Sequence, residues 1–424
     1  MPELTQPERS ETWDGKPIVV VSDYEELMEV LRSKEVSADS GGPHDHLFRK
    51  NTLMRLDGAT HLQRRRAMNG LLKRDGHEWF RREVLLPTID QALVDAGVGR
   101  STSAVEVDLV PFAGTCFIQM AGAMAGLDAA ASPSGAAELD RIRTLMHAAF
   151  GGTYEELTRG FDPTSDAAKA GLDAKVEFER VFVEPSLARR RELVAEVAAG
   201  DRDEATLPRD LLTFVAQGTD PAWDDYDLVV REAMQVVSAA TNTSTHALIH
   251  TLNELFGWFS KHPDDWELRT DREFLLGAVN DGLRLHNASP AMVRVALEDL
   301  ELCHGTRVSA GEYIALPGEQ ANQDPAFGTS PDQFNPRRTV ERPHQPMGVT
   351  FGGGAHMCLG MPLVMGANGI DGSLVHTLRR FFAAGMIQHP VRQGVLHPAT
   401  HHKWESYPVL FDSSVAINPS GRKS

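Results

Sequence analysis

Residues 351–360 read Phe-Gly-Gly-Gly-Ala-His-Met-Cys-Leu-Gly, and no other stretch of the chain constrains the fold so tightly. One soft thiol, Cys358, sits in a turn almost free of side chains, with a basic residue, His356, two positions before it. Gly352, Gly353, Gly354 and Gly360 let the backbone approach a planar group closely and take positive φ where needed. A helix starting just after Cys358, with Pro362 in its first turn, would aim amide dipoles at the sulfur and favour the thiolate. A phosphate-binding loop would carry Lys-Ser or Lys-Thr after the glycines, and none follows. A zinc site would need a second Cys or His at short spacing, whereas the nearest other cysteine is Cys303. A lone buried cysteine is an ordinary occurrence, but it leaves the surrounding pattern unexplained.

The rest of the composition is that of an ordinary globular protein: 424 residues, 42% hydrophobic and 24% charged. By length alone two or three domains would be expected. A formal net charge of -17 argues against nucleic acid as a partner. Cys116, Cys303 and Cys358 are odd in number and far apart, which fits a reducing cytoplasm rather than a disulfide framework. Residues 1–16 are polar and acidic, without the apolar core of a signal peptide. No run of about 18 apolar residues occurs, so no membrane span is expected.

Hydrophobic periodicity predicts a helix-rich chain. Ile18 to Val21 reads as a strand, Ser22-Asp23 as a cap, and Tyr24 to Arg32 as an amphipathic helix. Ser37 to His46 reads as a loop. Val105 to Leu127 predicts a buried helix and Glu177 to Ala199 a long surface helix. Pro221 to Pro263 has no internal proline and suits a helix of about 30 residues, roughly 45 Å long. Glu273 to His286 predicts another amphipathic helix. Val293 to Ile314 predicts short strands with turns at Gly305 and Gly311, and Leu316 to Thr350 an irregular meander.

The spacing of Phe351, Gly354, His356, Cys358 and Gly360 resembles the haem-binding loop of the cytochromes P450. The resemblance runs from about Gly15 to Phe411 and implies a mainly α fold with a minor β region. It implies one domain over 1–424, with a flexible N-terminus at 1–14 and a C-terminal tail at 412–424. The type implied is bacterial, without a fused reductase. Carried over, Cys358 is the axial thiolate to the iron of haem b. Phe351, Gly352 and Gly360 shape the loop, and Ala239 and Ala240 border the haem. His61 and Arg65, four residues apart on one helix face, would join His356 and Arg294 in binding the propionates. Read without the resemblance, His61 and Arg65 belong to a solvated basic face, since Arg64 and Arg66 flank Arg65. Asp281 and Arg284 take the place of the family's Glu-x-x-Arg, and Arg338 supplies the second arginine of a buried ionic network. The acid is one methylene short, so either the backbone shifts to let it reach, the reading favoured here, or the network is weaker.

The departures from the family pattern are as informative as the matches. Ala239-Ala-Thr-Asn-Thr-Ser244 aligns with the family's oxygen-side helix segment, placing Thr243 at the alcohol position and Asn242 where a proton-delivering carboxylate is usual. An amide cannot donate and regain a proton as a carboxylate does. Thr241 to Thr245 are poor mid-helix residues, which predicts a local bulge there. The stretch Met361 to Ile370 is unusually glycine-rich for the helix the family carries, and only about a dozen residues precede the first strand. His397, His401 and His402 make a weak metal candidate, because Pro398 interrupts any shared helix.

The resemblance implies a monooxygenase that inserts one atom of O2 into a lipophilic small molecule, with electrons from a ferredoxin-type donor. The pocket would be walled by Ala239, Thr243, Ala288, Ala291, Met292 and Val293, with Ser37 to Asn51 and Lys403 to Tyr407 nearby. Arg64, Arg66, Lys73 and Arg74 form a basic cluster suited to the donor. The alternatives are a P450-type catalyst of rearrangement or desaturation in secondary metabolism, and a haem-binding sensor without turnover.

Overall fold

The structure, a computed structural model, describes residues 12–417 apart from 13, 73, 101–102, 131–134, 160–161, 219, 290, 368 and 399–401. Lys73, Pro290 and His401 therefore lie outside the described residues. Among those described, no helix is long and apolar enough to cross a membrane.

The longest element is the helix Tyr226–Lys261, 36 residues, or about 54 Å at 1.5 Å per residue. Asp225 caps it by accepting from the Leu228 amide at 3.3 Å, and its apolar residues enter two core clusters, one on each side. Packed along it is Leu109–Ala125, a helix capped by Asp108 and closed by Gly126 at φ 94°. The predicted buried helix therefore starts four residues late. Val105–Asp108 forms a strand instead, paired antiparallel with Pro408–Phe411. Its alternation, Val-Glu-Val-Asp, is a strand pattern that the long apolar run downstream obscured.

The largest sheet of the minor β region has four strands. Its order runs Ile18–Val20, Tyr313–Leu316, Met292–Ala296, Val36–Ser37, with the first pair parallel and the others antiparallel. Tyr24–Arg32 is helical as predicted, with the Asp23 carboxylate accepting from the Glu26 amide at 3.0 Å. The predicted loop 37–46 is only partly one. Pro43–Arg49 is a helix with proline in its first turn, and Asp45 holds Arg55 at 2.9 Å. The predicted surface helix 177–199 is helical in two parts, joined by a wider π turn at Glu179–Val183 that leads into Pro185.

Two predicted features differ outright. The long helix has no bulge at Thr241 to Thr245 and stays regular throughout. The hydroxyls that were expected to disrupt it turn back onto the carbonyl four residues earlier: Thr241 to Val237 at 2.7 Å, Thr243 to Ala239 at 2.5 Å, Thr245 to Thr241 at 2.9 Å. Such back-bonding satisfies the polar group inside the helix. The helix after Cys358 is a single turn, Met361–Met365. Gly366 (φ 88°) ends it, and a Cβ there would sit 2.3 Å from the Ile370 carbonyl oxygen. The chain then forms a small hairpin, Gly366–Ala367 with Ile370–Asp371, before Ser373–Ala383 resumes as a helix.

The Ser373–Ala383 helix carries His376, whose Nε2 is buried without a partner. Burial pulls its pKa down to about 4, and burial likewise takes His246 to about 4 and His250 to about 3. Each of these rings stays neutral in the folded chain but takes a proton in the unfolded chain below about 6.5. With the folded values depressed, this contribution to stability is complete above pH 6.5 and is lost as pH falls toward 4. The thermal unfolding midpoint should therefore fall across that window, and His376→Gln should make the fall shallower. An identical pH profile for the variant would show that His376 is not held neutral.

Candidate functional site

The cysteine loop is built on close backbone approaches. Gly354 (φ 60°) lies against the first helix of the chain, where a Cβ would come 2.2 Å from the Leu31 carbonyl oxygen. Gly352 (φ 69°) faces Met292, whose sulfur would be 3.4 Å from an added Cβ. The loop is thereby clamped between the Tyr24–Arg32 helix and the sheet strand that carries Arg294. The Cys358 amide donates to the Phe351 carbonyl at 2.8 Å, closing the turn.

Cys358 is exposed to solvent, yet enough protein surrounds its sulfur for burial to act on it. That surrounding mass pushes its thiol up, against the backbone amides of Gly360 and Met361 and the charge of Arg65, all of which favour the thiolate. The two other cysteines differ in kind. Cys116 is fully buried, and burial pushes its thiol up to about 12; Cys303 lies on the surface.

The predicted basic residues converge beside the loop. The His61 and His356 rings stack with centroids 4.1 Å apart. Burial first, then the neighbouring charges of His356 and Arg65, lower the His61 pKa to about 4. Arg65 donates to the Met357 carbonyl, one residue from Cys358. Arg294 donates to its neighbour's carbonyl, Val293, at 2.8 Å, and burial, then Arg55, lowers its pKa to about 10.

Asp57 joins these groups and was not singled out from the sequence. It lies 3.3 Å from His356 Nε2, and it accepts from the Ser37 hydroxyl at 2.5 Å and the Ala38 amide at 3.1 Å. Burial opposes its ionisation, but these partners win and hold its pKa at about 2. Its position before the His61 helix was visible; its reach to His356, 299 residues on, depends on the fold.

The long helix meets the same region. Val236 and Leu359 line one small apolar cavity of about 40 Å³. Beyond it the helix opens: Ala239 and Asn242 are exposed, and Ala240, Thr243 and His246 partly so, in an otherwise mostly buried element. Positions 239, 242, 243 and 246 follow the i, i+3, i+4, i+7 spacing of one helix face. Ala288, Ala291, Met292 and Val293 are partly buried at the end of the Arg272–Leu285 helix and on the adjoining strand.

Asp281 reaches its partners despite the shorter side chain. Its Oδ1 accepts from Arg284 Nε and Arg338 Nε, each at 2.7 Å, and its Oδ2 accepts from the Asn335 amide at 2.6 Å. Arg284 is 0% exposed and donates further to the carbonyls of Asn322 (2.8 Å) and Pro331 (2.5 Å). Two glycines bring the helix close enough. A Cβ at Gly277 would be 2.0 Å from the Pro336 carbonyl oxygen, and one at Gly282 2.6 Å from Thr251 Oγ1.

One member of the predicted basic docking cluster, Arg64, turns inward. Arg64 is 3% exposed, donates to the Asn51 carbonyl and lies 3.6 Å from buried Glu232, over the Trp223 ring. Of the other three, Arg66 is exposed, while Lys73 and the Arg74 side chain lie outside what the structure describes. A helix face that looked solvated by composition is pinned inward by one buried acid.

Whether these residues suit a haem can be judged from their own chemistry. Neither Arg65 nor Arg294 has a carboxylate ion-pair partner among the described residues. Poorly solvated cations of this kind call for an anion, and two of them beside a sulfur that receives amide donors match a flat cofactor with two carboxylates. The residues fit the group.

Comparison with known proteins agrees with this geometry. The cytochrome P450 family model matches residues 245–384. Luteothin monooxygenase of Streptomyces thioluteus is 31% identical over 186 residues, 43% of each chain. Biotin biosynthesis cytochrome P450 of Bacillus subtilis is 36% identical over 104 residues, 24% of this chain and 25% of its own. The matched stretches thus span less than half of these relatives' lengths. Steroid C26-monooxygenase of Mycobacterium tuberculosis aligns over 82% of this chain and 83% of its own at 24% identity. Among solved structures, P450BioI bound to an acyl-loaded acyl carrier protein superposes with a TM-score of 0.69 at 17% identity, covering 94% of this chain and 93% of that one.

Proposed function

We propose that the chain is a cytochrome P450, as the family match over residues 245–384 and the likeness of its fold support, and that it is a monooxygenase acting on a lipophilic small molecule. The observation that carries this reading is the meeting of Cys358, its two amide donors and Arg65 with His61, His356 and Arg294 beside one loop. Haem b, when bound, supplies oxygen activation, favoured by a thiolate ligand.

The chain's own residues set the conditions for that chemistry. Cys358 supplies the sulfur, and the amides of Gly360 and Met361 with the charge of Arg65 favour its anion against the burial that pushes the thiol up. His61, Arg65, His356 and Arg294 would orient the group through its carboxylates, with Asp57 fixing the His356 ring. Asp281, Arg284 and Arg338 hold the meander behind the loop rigid. Ala239, Ala240, Ala288 and Ala291, all small, leave room for substrate, and Met292 and Val293 add apolar wall. Asn242 cannot relay a proton by itself. The Thr243 hydroxyl spends its own hydrogen on the Ala239 carbonyl, so its oxygen is left to accept a hydrogen bond. Together they can position water that carries the proton. We place the protein in the cytoplasm, with a separate ferredoxin-type protein as electron donor.

The test is oxygen-dependent consumption of reductant coupled to formation of an oxygenated product. Thr243→Ala should lower product per O2 consumed by roughly 10²-fold, the low end for positioned proton transfer, while consumption itself continues. Unchanged coupling in that variant would remove Thr243 from the mechanism. A wild-type protein that binds haem yet never consumes O2 with any reductant would defeat the monooxygenase reading.

A further inference from the structure

The exposed face of the long helix does not end at Thr243. His246 follows three residues later, about 4.5 Å along the axis, on the same face. Its Nδ1 accepts the Trp404 amide at 3.1 Å. That bond leaves the ring proton on Nε2, a donor without a protein partner among the described residues. One turn further, His250 Nε2 donates to the His402 carbonyl at 2.8 Å. The turn at residues 402–404 is thus fastened at both ends to the helix, and Lys403 is fixed between the two clamps.

Lys403 is partly buried and has no hydrogen bond or ion pair through its ammonium among the described residues. Burial alone lowers its pKa. The groups that face this corner are basic: His246, His250, His286, His397 and His402. The nearby acids are committed elsewhere. Glu254 binds His286 at 2.8 Å, and Glu319 accepts the Asn287 amide at 3.1 Å. Tyr407 OH donates to Asn253 at 3.2 Å. A half-buried ammonium and a neutral imidazole N–H therefore stand side by side with no anion, at one end of the face that carries Thr243.

We propose that Lys403 and His246 form the recognition site for a carboxylate on the substrate, whose apolar body lies along Ala239, Asn242 and Thr243. One positive charge and two kinds of N–H donor suit a monoanion with two oxygens. An unpaired ammonium in this setting is unfavourable until such a group arrives. The inference rests on reading this face as the substrate site, and it narrows the substrate from lipophilic to amphipathic acids. Lys403 would hold the substrate by its head, so the reacting carbon would be one removed from the carboxylate along the chain.

The test uses the haem-loaded enzyme at pH 7 and calorimetric dissociation constants for dodecanoic acid and methyl dodecanoate. The acid should bind at least about tenfold tighter than the ester, as expected for one charge-assisted contact. Lys403→Met should bring the two within about twofold by weakening only the acid, and Lys403→Arg should keep most of the preference. His246→Phe should weaken the acid more than the ester. Equal affinity in the wild type, no measurable acid binding, or a preference that survives Lys403→Met would each overturn the proposal. Unfolding midpoints of the variants separate this from misfolding. The carbon monoxide spectrum of the same preparations reports the haem-thiolate reading independently, so the two can fail separately.

Discussion

Cys358→Ala should abolish the strongly red-shifted Soret absorption of the reduced, carbon monoxide-treated protein, and turnover with it. The shift depends on a thiolate bonded directly to iron, and no other described group stands ready to replace it. Cys116 is in the core with its thiol pushed up to about 12, and Cys303 lies on the surface beside Glu29. Cys116→Ala and Cys303→Ala should therefore leave the spectrum unchanged. Groups around the ligand should matter less than the ligand itself. Arg65→Ala and His356→Ala should weaken haem binding by about 10–100-fold, the range for residues that orient a metal site. If Cys358→Ala kept its pigment with an unaltered spectrum, the sulfur would not be the ligand.

The second large effect concerns stability. Asp281→Ala would leave Arg284, 0% exposed, with its carboxylate partner gone. Removing one partner of a buried ionic network costs about 3–5 kcal/mol, a large share of a typical folding free energy. The shorter acid works because the helix sits close to its partners through Gly277 and Gly282. Restoring the family's longer acid should therefore not help. Asp281→Glu places an extra methylene in a filled site, at a cost of about 1–3 kcal/mol. Gly277→Ala should be as harmful as an overpacked core or worse, since Pro336 cannot retreat without moving the Arg338 turn. Denaturant unfolding of the three variants checks the order. A stabilised Asp281→Glu would mean that Asp281 is a compromise and that the glycines serve another end.

The acid position and the glycines illustrate how legibility divides. That Asp281, Arg284 and Arg338 belong together was implied by the family resemblance; how a short acid reaches was not, because Gly277 touches Pro336 only in three dimensions. The same holds for Arg64. On the sequence it belongs to a run of three arginines, and only the fold puts Glu232 opposite it. The hydroxyl run at Thr241 to Thr245 erred in the other direction. Its composition argued for disruption, but each threonine found its acceptor one turn back inside a helix already held by 36 residues of packing.

What the amino-acid sequence determined by itself was local: which sulfur lies in a glycine loop, where helices are capped, and which residues share a helix face. These follow from backbone sterics and from periodicity over a few turns. Tertiary structure alone decided the contacts between residues far apart in the chain. Asp57 beside His356, the one-turn helix cut short by the hairpin at Gly366, and Lys403 pinned next to His246 are of this kind. Burial and neighbouring charge set the chemistry of such groups, and both are properties of the packed chain.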